Sequence, residues 1–438
     1  MAAMNQEILN PFAPPRPRVL DDLGLSKTMI RDILLKTIYR MSLEYVTDIA
    51  HSVAIPVPLV QQLVDSARDE KLIEAMGSLG SEGTSEMRYQ LSEAGVARTR
   101  DALTQSEYYG AMPVPLAAFY RQSERQSVKN IRITPQSLMG AMGNLILPHN
   151  FLRDLGPAIS SGRSLLLYGP PGNGKSSISN GIRDALGDHV FVPRAVEYSG
   201  QIITVYDPIV HERVKSVDQA ASPLRRAAGF DGRYLKCRRP AVITGGELEL
   251  SMLDLTYNPV SRTYQAPLQM KATGGIFIVD DLGRQAESPQ KLINRWIVPM
   301  EASYDILALQ SGEKFVVPFD TLVIFSTNFH PNELFDQAAL RRVFFKIKID
   351  GPTKEEFLRV FALVAKAKGM PLTEPALIHL LTKRYPEINN VYANYHAPFL
   401  IDQILAICDY EGIAPQLTPD LIDRAWANLY VEESDFAH

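Results

Sequence analysis

The chain has 438 residues, of which 46% are hydrophobic and 21% are charged, and its formal net charge is −4. This composition is that of a globular protein long enough for two or three domains, and it excludes a bulk electrostatic attraction to nucleic acid. No run of apolar residues approaches the roughly 18 that a membrane-spanning helix needs, so we expect no membrane span.

The two cysteines, Cys237 and Cys408, have neither the spacing of metal ligands nor that of a redox pair. They indicate a reducing compartment and no disulfide framework. Residues 1–20 form a proline-rich arm, whose prolines forbid a helix and which has no apolar stretch typical of signal peptides. We therefore expect a cytoplasmic protein.

Residues 21–105 are predicted to form a small α+β domain. Ser26 is placed to cap a helix over Lys27–Met41, and a second helix is expected over about 43–52. A third helix begins at Pro58, and a two-stranded hairpin and a further helix follow it. Three helices followed by a hairpin resemble a winged helix.

The charge of this domain argues against the DNA binding that a winged helix suggests. It holds thirteen acidic and nine basic residues, and its third helix carries Asp65 and Asp69 against Arg68. Because phosphate contacts dominate the affinity of proteins for DNA, an acidic helix is a poor reader of DNA. Docking of a protein partner is favoured, and DNA binding is kept as the alternative.

Residues 106–140 are predicted to be a linker that is locally basic. Its basic residues include Arg121, Arg125, Lys129 and Arg132. Either the linker is a solvated connector that pairs with the acidic domain, or it contacts nucleic acid or a neighbouring subunit. The sequence leaves both interpretations open.

The most informative segment is Gly169–Ser176, which fits the G-x-x-x-x-G-K-[ST] template at every position. It follows an apolar strand and precedes a predicted helix, and such a glycine-rich turn lets backbone N–H groups curl around an anion. Lys175 is predicted to bind the β- and γ-phosphates of a nucleotide, and the Ser176 hydroxyl to bind Mg²⁺. The alternative is a glycine-rich turn without a ligand. The predicted nucleotide-binding residues are Gly169, Pro170, Pro171, Gly172, Asn173, Gly174, Lys175, Ser176 and Ser177.

Two carboxylates follow a second predicted strand. Gly275–Val279 ends in four apolar residues, as is typical of a strand buried on both faces, and Asp280 and Asp281 come directly after it. Ligands of open α/β sheets bind at this edge, so Asp280 is predicted to hold the Mg²⁺ and Asp281 to polarise the attacking water. The alternative is a strand that ends in a solvated acidic turn.

A third predicted strand begins at Thr321 and ends in Asn328, whose amide can orient a water against the γ-phosphate. A short helix that follows ends in Arg341 and Arg342. An arginine there can reach across a subunit boundary and stabilise charge on a neighbour's nucleotide. The alternative is that both arginines cap their own helix. The predicted catalytic residues are Lys175, Asp281, Asn328, Arg341 and Arg342.

This order of motifs resembles the AAA+ ATPases over about residues 140–430. The resemblance implies a P-loop NTPase fold with a parallel-sheet α/β core over 141–351 and a helical lid over 352–438. It also implies ATP and Mg²⁺ as ligands and a ring of identical subunits, expected to be a hexamer. By position, the family's named elements are the Walker A loop at Gly169–Ser176, Walker B at Asp280 and Asp281, sensor 1 at Asn328, and the arginine finger at Arg341 or Arg342.

About 100 residues separate Ser176 from Ile276, which is more than a simple crossover between strands needs. A hairpin is predicted within them, with strands over Leu250–Leu255 and Thr263–Leu268. Another hairpin is predicted around Leu307–Phe315, before the strand that begins at Thr321. Inserted hairpins at these places resemble the MoxR-type and magnesium-chelatase-type branch of the AAA+ proteins.

Two positions depart from the family pattern. The second Walker B acid is Asp281 instead of glutamate, and Phe399 stands where the lid arginine called sensor 2 is expected. The sequence therefore predicts that sensor 2 is absent or is supplied by another residue. Helices of the lid are expected near 353–369, 373–384, 398–411 and 418–430.

Together these observations predict a Mg²⁺-dependent ATPase that works in a ring and moves or remodels a protein partner. One alternative is a DNA-associated ATPase or regulator that reads DNA with the winged helix. Another alternative, suggested by Asp281 and by the missing sensor 2, is a switch that binds ATP but hardly turns it over. The sequence does not identify the partner.

Overall fold

The computed structural model of the chain describes residues 12–78, 86–143, 145–147, 151–214 and 229–429. The first eleven residues of the predicted arm and the tip of the predicted hairpin lie outside them. Within the described residues, no helix combines the length and the apolar character that crossing a membrane would require. The architecture is mixed α/β, with helices around a five-stranded parallel sheet, as the sequence predicted.

The N-terminal part of the chain forms four helices and a hairpin. The oxygen of Ser26 accepts a hydrogen bond of 3.2 Å from the Met29 amide, which confirms the predicted helix cap. The two strands of the hairpin pair antiparallel, and Leu34, Ile49 and Val60 from the first three helices are fully buried in one core. The elements are α1 (Lys27–Met41), α2 (Val46–Val53), α3 (Val57–Asp69), β1 (Ile73–Ser78), β2 (Met87–Leu91) and α4 (Glu93–Gln105).

The segment predicted as a linker carries structure of its own. It contains β3 (Val114–Pro115), α5 (Leu116–Arg125) and most of α6 (Pro135–Ala141). From α5, the amide of Gln122 donates a hydrogen bond of 2.7 Å to the carbonyl of Phe12. The described end of the proline-rich arm is therefore held against this helix.

The strand over Leu165–Tyr168, which precedes the predicted phosphate loop, is followed in the chain by a long β-rich insertion. The predicted hairpin before Asp280 exists, but Leu250–Leu253 is a 3-10 turn instead of a strand. In this turn only Leu253 is buried, and the Asp254 amide donates back to the Ser251 carbonyl, so the chain bends where an extended strand was expected. The elements are α7 (Phe151–Ser160), β4 (Leu165–Tyr168), α8 (Lys175–Leu186), β5 (His189–Pro193), β6 (Ala195–Tyr198), β7 (Gln201–Thr204), β8 (Tyr234–Arg238), β9 (Ala241–Thr244), β10 (Thr256–Asn258), β11 (Thr263–Gln265), α9 (Leu268–Lys271) and β12 (Gly275–Val279).

The central sheet has the strand order β16-β4-β15-β12-β9 and is completed by the next part of the chain. Strand β4 runs parallel to both of its neighbours, β15 and β16. All residues of β12 and β15 are buried, as expected for parallel strands covered on both faces. The elements are α10 (Pro289–Ala302), β13 (Tyr304–Ala308), β14 (Lys314–Pro318), β15 (Thr321–Thr327), α11 (Pro331–Leu334), α12 (Gln337–Arg342) and β16 (Phe345–Lys348). The antiparallel pair of β13 and β14 is the hairpin predicted around Leu307–Phe315.

The C-terminal helices form the small lid that the sequence predicted. They share a core of large apolar side chains that includes Phe357, Leu400 and Trp426. The first lid helix begins with a capping box, in which the Thr353 hydroxyl and the Glu356 carboxylate each accept a hydrogen bond from the other's backbone N–H. The elements are α13 (Lys354–Ala367), α14 (Glu374–His379), α15 (Tyr385–Glu387), α16 (His396–Glu411) and α17 (Pro419–Ala427), with a π-helical turn at Leu380–Arg384.

The chain divides into two compact units. The first consists of the described parts of residues 1–131, 186–277 and 291–322, and the second of those of 132–185, 278–290 and 323–438. The phosphate loop, the paired aspartates, the tip of β15 and the lid all belong to the second unit. The predicted site residues can therefore be described as one group.

A buried ion pair stabilises the first unit. Arg233 and Asp231 lie 2.9 Å apart, and each side chain is only 4% exposed. The Arg233 guanidinium also donates to the carbonyl oxygens of Leu23, at 3.0 Å, and Pro113, at 3.3 Å. It thus joins three stretches of chain that are far apart in sequence.

We expect Asp231→Ala to lower the free energy of unfolding by about 3–5 kcal/mol, because it leaves the Arg233 guanidinium buried without its carboxylate partner. Urea unfolding of the full chain measures this change. The matched control is Glu212→Ala, which breaks an ion pair with Arg238 whose side chains are 69% and 67% exposed. The control should change the free energy by about 0.5 kcal/mol or less. Equal losses in the two variants would contradict a stabilising role of the buried pair.

Candidate active site

The loop between β4 and α8 approaches its neighbours so closely that glycine is required. Gly169 has a φ of 144°, and a Cβ at this position would lie 2.1 Å from the carbonyl oxygen of Ile349. The Gly169 amide donates to the Thr327 carbonyl at 3.3 Å, which ties the loop to the end of β15. A side chain here would push the loop off the edge of the sheet.

Helix α8 begins at Lys175, directly after the loop. The first N–H groups of a helix have no partner within the helix, and they carry a partial positive charge that attracts anions. The structure places all nine predicted nucleotide-binding residues, Gly169–Ser177, on this strand–loop–helix turn. Their binding of a nucleotide stays a prediction.

The Lys175 ammonium lies buried among oxygen atoms. It donates hydrogen bonds to the side-chain oxygen of Asn328 at 2.7 Å and to the carbonyl oxygens of Gly169 at 2.9 Å and Pro170 at 3.0 Å. Burial lowers the pKa of Lys175, while the charges of Asp280 and Asp281 act to raise it. The loop carbonyls and Asn328, at the end of β15, thus hold the Lys175 ammonium at this edge of the sheet.

Ser176, at the start of α8, and Asp280, directly after β12, are joined by their side chains. The Ser176 hydroxyl donates to the Asp280 carboxylate at 2.7 Å. Among the described residues, no group of three or more His, Cys, Asp or Glu side chains is arranged to hold a metal. A hydroxyl and one carboxylate suit Mg²⁺, which usually keeps several waters and takes further oxygens from substrate phosphates.

Asp281 is held by its neighbours and remains accessible to water. Its carboxylate accepts a hydrogen bond of 3.1 Å from the Asn328 amide nitrogen, and its side chain is 45% exposed. The Arg284 guanidinium lies 4.0 Å from the other carboxylate oxygen. The Gln285 amide donates to the Asp280 carbonyl at 3.2 Å and so fixes this turn, a role that no sequence motif indicated.

The backbone at Asp281 explains one departure from the AAA+ pattern. Asp281 has a φ of 49°, in the left-handed region. Aspartate adopts this region more readily than glutamate, because its short polar side chain can form hydrogen bonds locally. An aspartate at this position therefore suits the turn that follows β12.

Arg341 and Arg342 are the last two residues of the short helix α12. Arg341 is exposed. Arg342 donates to the Ala338 carbonyl of its own helix at 3.0 Å. Arg341 is therefore the freer of the two to reach a neighbouring subunit, a role that stays a prediction.

Helix α16 of the lid provides no lysine or arginine side chain to the loop. Between Arg384 and Arg424 the sequence has no lysine or arginine, and Phe399 packs against the core of the lid. At the start of α16, the His396 ring is 1% exposed and is hydrogen-bonded at 3.0 Å to the hydroxyl of Tyr385. Burial lowers the pKa of His396 to about 4, so this histidine is neutral at pH 7.

Comparisons with known proteins gave one family model, over the C-terminal helices, and several solved structures of low similarity. A family model described as a domain of unknown function (DUF8689) matches residues 353–428. No curated protein matches the chain.

Among solved structures, NtrX from Brucella abortus is 12% identical to this chain, with a TM-score of 0.41. The match covers 67% of this chain and 58% of the NtrX chain, so it spans less than two thirds of NtrX. A variant of Thermotoga maritima RuvB is 12% identical with a TM-score of 0.38, over 68% of this chain and 74% of that one. A structure described as the Thermotoga maritima RuvB Holliday junction branch migration motor is 14% identical with a TM-score of 0.34, over 68% and 71%.

The buried histidine makes the stability of the lid depend on pH. The folded pKa of about 4 lies below the ordinary 6.5, so the unfolded state binds the proton more tightly, and stability falls as the pH drops from about 6.5 to 4. Moving from pH 7.5 to pH 5 should lower the free energy of unfolding by about 2 kcal/mol through this group. His396→Asn should remove this part of the pH dependence, as measured by urea unfolding at both pH values. The control His51→Asn, at an exposed position, should keep it, and a wild-type pH dependence in His396→Asn would contradict the assignment.

Proposed function

We propose that the chain is a Mg²⁺-dependent ATPase of the AAA+ type. The observation that supports this most is the hydrogen-bonded series from Lys175 through Asn328 to Asp281, next to the Ser176–Asp280 pair. Lys175, Asp281 and the Ser176–Asp280 pair lie at one sheet edge, where we propose that they act as the phosphate-binding cation, the base and the metal ligands. This arrangement suits in-line attack of water on a γ-phosphate.

In the proposed mechanism, Lys175 exchanges its contacts with Asn328 and the loop carbonyls for phosphate oxygens when ATP binds. The side-chain oxygen of Asn328 can then accept a hydrogen bond from the attacking water, while its nitrogen keeps Asp281 in place. Asp281 accepts the other hydrogen bond of the water and takes its proton as the bond between the water oxygen and the γ-phosphorus forms. At the same time the bond from the γ-phosphorus to the bridging oxygen breaks, and ADP leaves with that oxygen. Ser176 and Asp280 would hold a Mg²⁺ ion, which would supply positive charge to the β- and γ-phosphates.

The finer proposal concerns assembly and biological role. A cytoplasmic ring of identical subunits, expected to be a hexamer, would place Arg341 or Arg342 of one subunit at the nucleotide of the next. The domain over 21–105, which we interpret as a winged helix, would dock a protein partner that the ring moves or remodels. Besides this domain, the proposed divisions of the chain are an arm over 1–20, a linker over 106–140, a core over 141–351 and a lid over 352–438. The inserted hairpins support the MoxR-type and magnesium-chelatase-type branch.

Two alternatives differ from this proposal in measurable ways. A DNA-associated ATPase would bind duplex DNA with an affinity that falls steeply with salt. The excess of acidic residues in the domain over 21–105 favours the protein-docking role instead. A slow switch would bind ATP with Mg²⁺ but show almost no turnover.

The test of the proposed function is Asp281→Asn. We expect this variant to bind ATP as the wild type does and to lose at least about 100-fold in kcat, because the amide cannot take the proton of the water. Binding is measured by titration with a fluorescent ATP analogue, and turnover by phosphate release. Lys175→Ala should instead lose binding, since it removes the cation that faces the β- and γ-phosphates.

Glu333→Gln is the matched control for the loss of a carboxylate, because Glu333 is exposed on α11 of the same unit. It should leave binding and turnover unchanged. Wild-type turnover in Asp281→Asn would mean that Asp281 is not the base. Wild-type ATP affinity in Lys175→Ala would mean that the loop is not the nucleotide site.

A mixing experiment tests action across a subunit boundary. Arg341→Ala and Arg342→Ala subunits keep an intact loop, whereas Lys175→Ala subunits keep intact arginines. If one arginine acts on the neighbouring subunit, its variant alone should lose about 10³-fold in rate, and mixing with Lys175→Ala should restore part of the activity. Phosphate release by the mixtures, compared with each parent at equal concentration, measures this rescue. Arginines that only cap α12 would give mildly unstable variants and no rescue.

A further inference from the structure

Asn173 occupies a position that the phosphate-loop motif leaves open, yet its side chain is only 4% exposed. Its amide oxygen accepts a hydrogen bond of 3.3 Å from the backbone N–H of Asn394 in the lid. Its amide nitrogen donates to the Pro170 carbonyl at 3.4 Å. One buried amide therefore connects the backbone of the loop to that of the lid.

A second contact runs from the lid to the neighbouring loop residue. The backbone N–H of Tyr395 donates to the Gly172 carbonyl at 3.0 Å. A Cβ on Gly172 would lie 2.1 Å from the Cδ1 atom of the Tyr395 ring. The ring therefore rests on the loop, and glycine is needed at position 172 both for this contact and for its φ of 75°.

A third close approach lies at the start of the lid. A Cβ on Gly351 would lie 2.5 Å from the Tyr392 carbonyl oxygen and 3.9 Å from the amide nitrogen of Asn173. The segment from Tyr392 to Tyr395, which we name the lid step, is therefore packed at the phosphate loop. All of these residues belong to the second compact unit.

The charges at the lid step decide how it can respond to a nucleotide. Helix α16, which follows it, contains no lysine or arginine, and His396 at its start is neutral at pH 7. The lid step contacts the loop through two hydrogen bonds that its backbone N–H groups donate, one to the Asn173 side chain and one to the Gly172 carbonyl, and through an aromatic ring, none of which carries charge. Phosphate can therefore act on this part of the lid through the position of the loop backbone.

We propose that Asn173 and Tyr395 are positioning residues that tie the lid to the phosphate loop, so that nucleotide binding at the loop and ordering of the lid step strengthen each other. The choice of nucleotide as the ligand rests on the proposed function, whereas the tie itself rests on the contacts above. Coupling between two sites is reciprocal, so the factor by which nucleotide stabilises the ordered lid step equals the factor by which the ordered lid step strengthens nucleotide binding. A variant that loses one of these effects must lose the other.

The experiment is amide hydrogen exchange on the full chain, with and without Mg²⁺ and ADP, together with titration of ADP affinity. Without nucleotide, Asn173→Ala should speed exchange at Asn394 and Tyr395 about five- to tenfold, which is the loss expected for one hydrogen bond. Amides of α13 and α17 should exchange as in the wild type. With ADP, exchange at the lid step should slow in the wild type and much less in the variant. The ADP affinity of the variant should fall by about the factor by which ADP slows this exchange in the wild type.

Two pairs of variants separate the tie from general damage. Tyr395→Phe keeps the ring and should behave as the wild type, whereas Tyr395→Ala should loosen the lid step. Tyr410 lies on α16, the helix that follows the lid step, and is 91% exposed. Tyr410→Ala should leave exchange at the lid step and ADP affinity unchanged. Asn180→Ala removes an amide side chain from α8, outside the loop, and should leave exchange at the lid step unchanged.

Three results would overturn the proposal. One is wild-type exchange at the lid step in Asn173→Ala. Another is faster exchange across the whole lid, which would mean that the side chain only stabilises the lid. The third is an ADP effect on the lid step that survives in the variant unchanged. If the wild type binds no nucleotide, the proposed function fails, while the exchange difference without nucleotide still tests the tie.

Discussion

The hydrogen bonds of the Lys175 ammonium are the constraint on which the rest of the site depends. A buried cation is stable only when oxygen atoms surround it, and here they come from the loop and from Asn328 at the tip of β15. Because β15 lies between β4 and β12 in the sheet, the Asn328 amide stands between Lys175 and Asp281. The order of the strands thus produces the series of side chains that the proposed chemistry uses.

Close backbone contacts extend this constraint to the lid. Gly169 is fixed against Ile349 at the end of the core, and Gly172 is fixed against the ring of Tyr395. A loop held on both sides has little freedom to move unless its neighbours move with it. The lid step needs no charge to respond to the loop, which fits a helix α16 without lysine or arginine.

The parts of the site that local patterns determine could be predicted from the sequence. The loop, Asp280, Asp281 and Asn328 each follow a buried apolar strand, and parallel strands bring such ends to one edge. The roles of Asn173 and Gln285 could not be predicted, because each depends on a backbone group that only the folded chain places within reach. The parallel pairing of Val114 with Val196, 82 positions later, is equally invisible to local periodicity.

The aspartate at position 281 shows how a local backbone conformation can favour one of two similar residues. With a φ of 49°, the residue after Asp280 must tolerate the left-handed region, and a glutamate there would add strain to the turn. The shorter side chain also reaches the Asn328 amide at 3.1 Å while it keeps its second oxygen toward solvent and Arg284. An aspartate at this position therefore fits both the left-handed backbone after β12 and the hydrogen bond with Asn328.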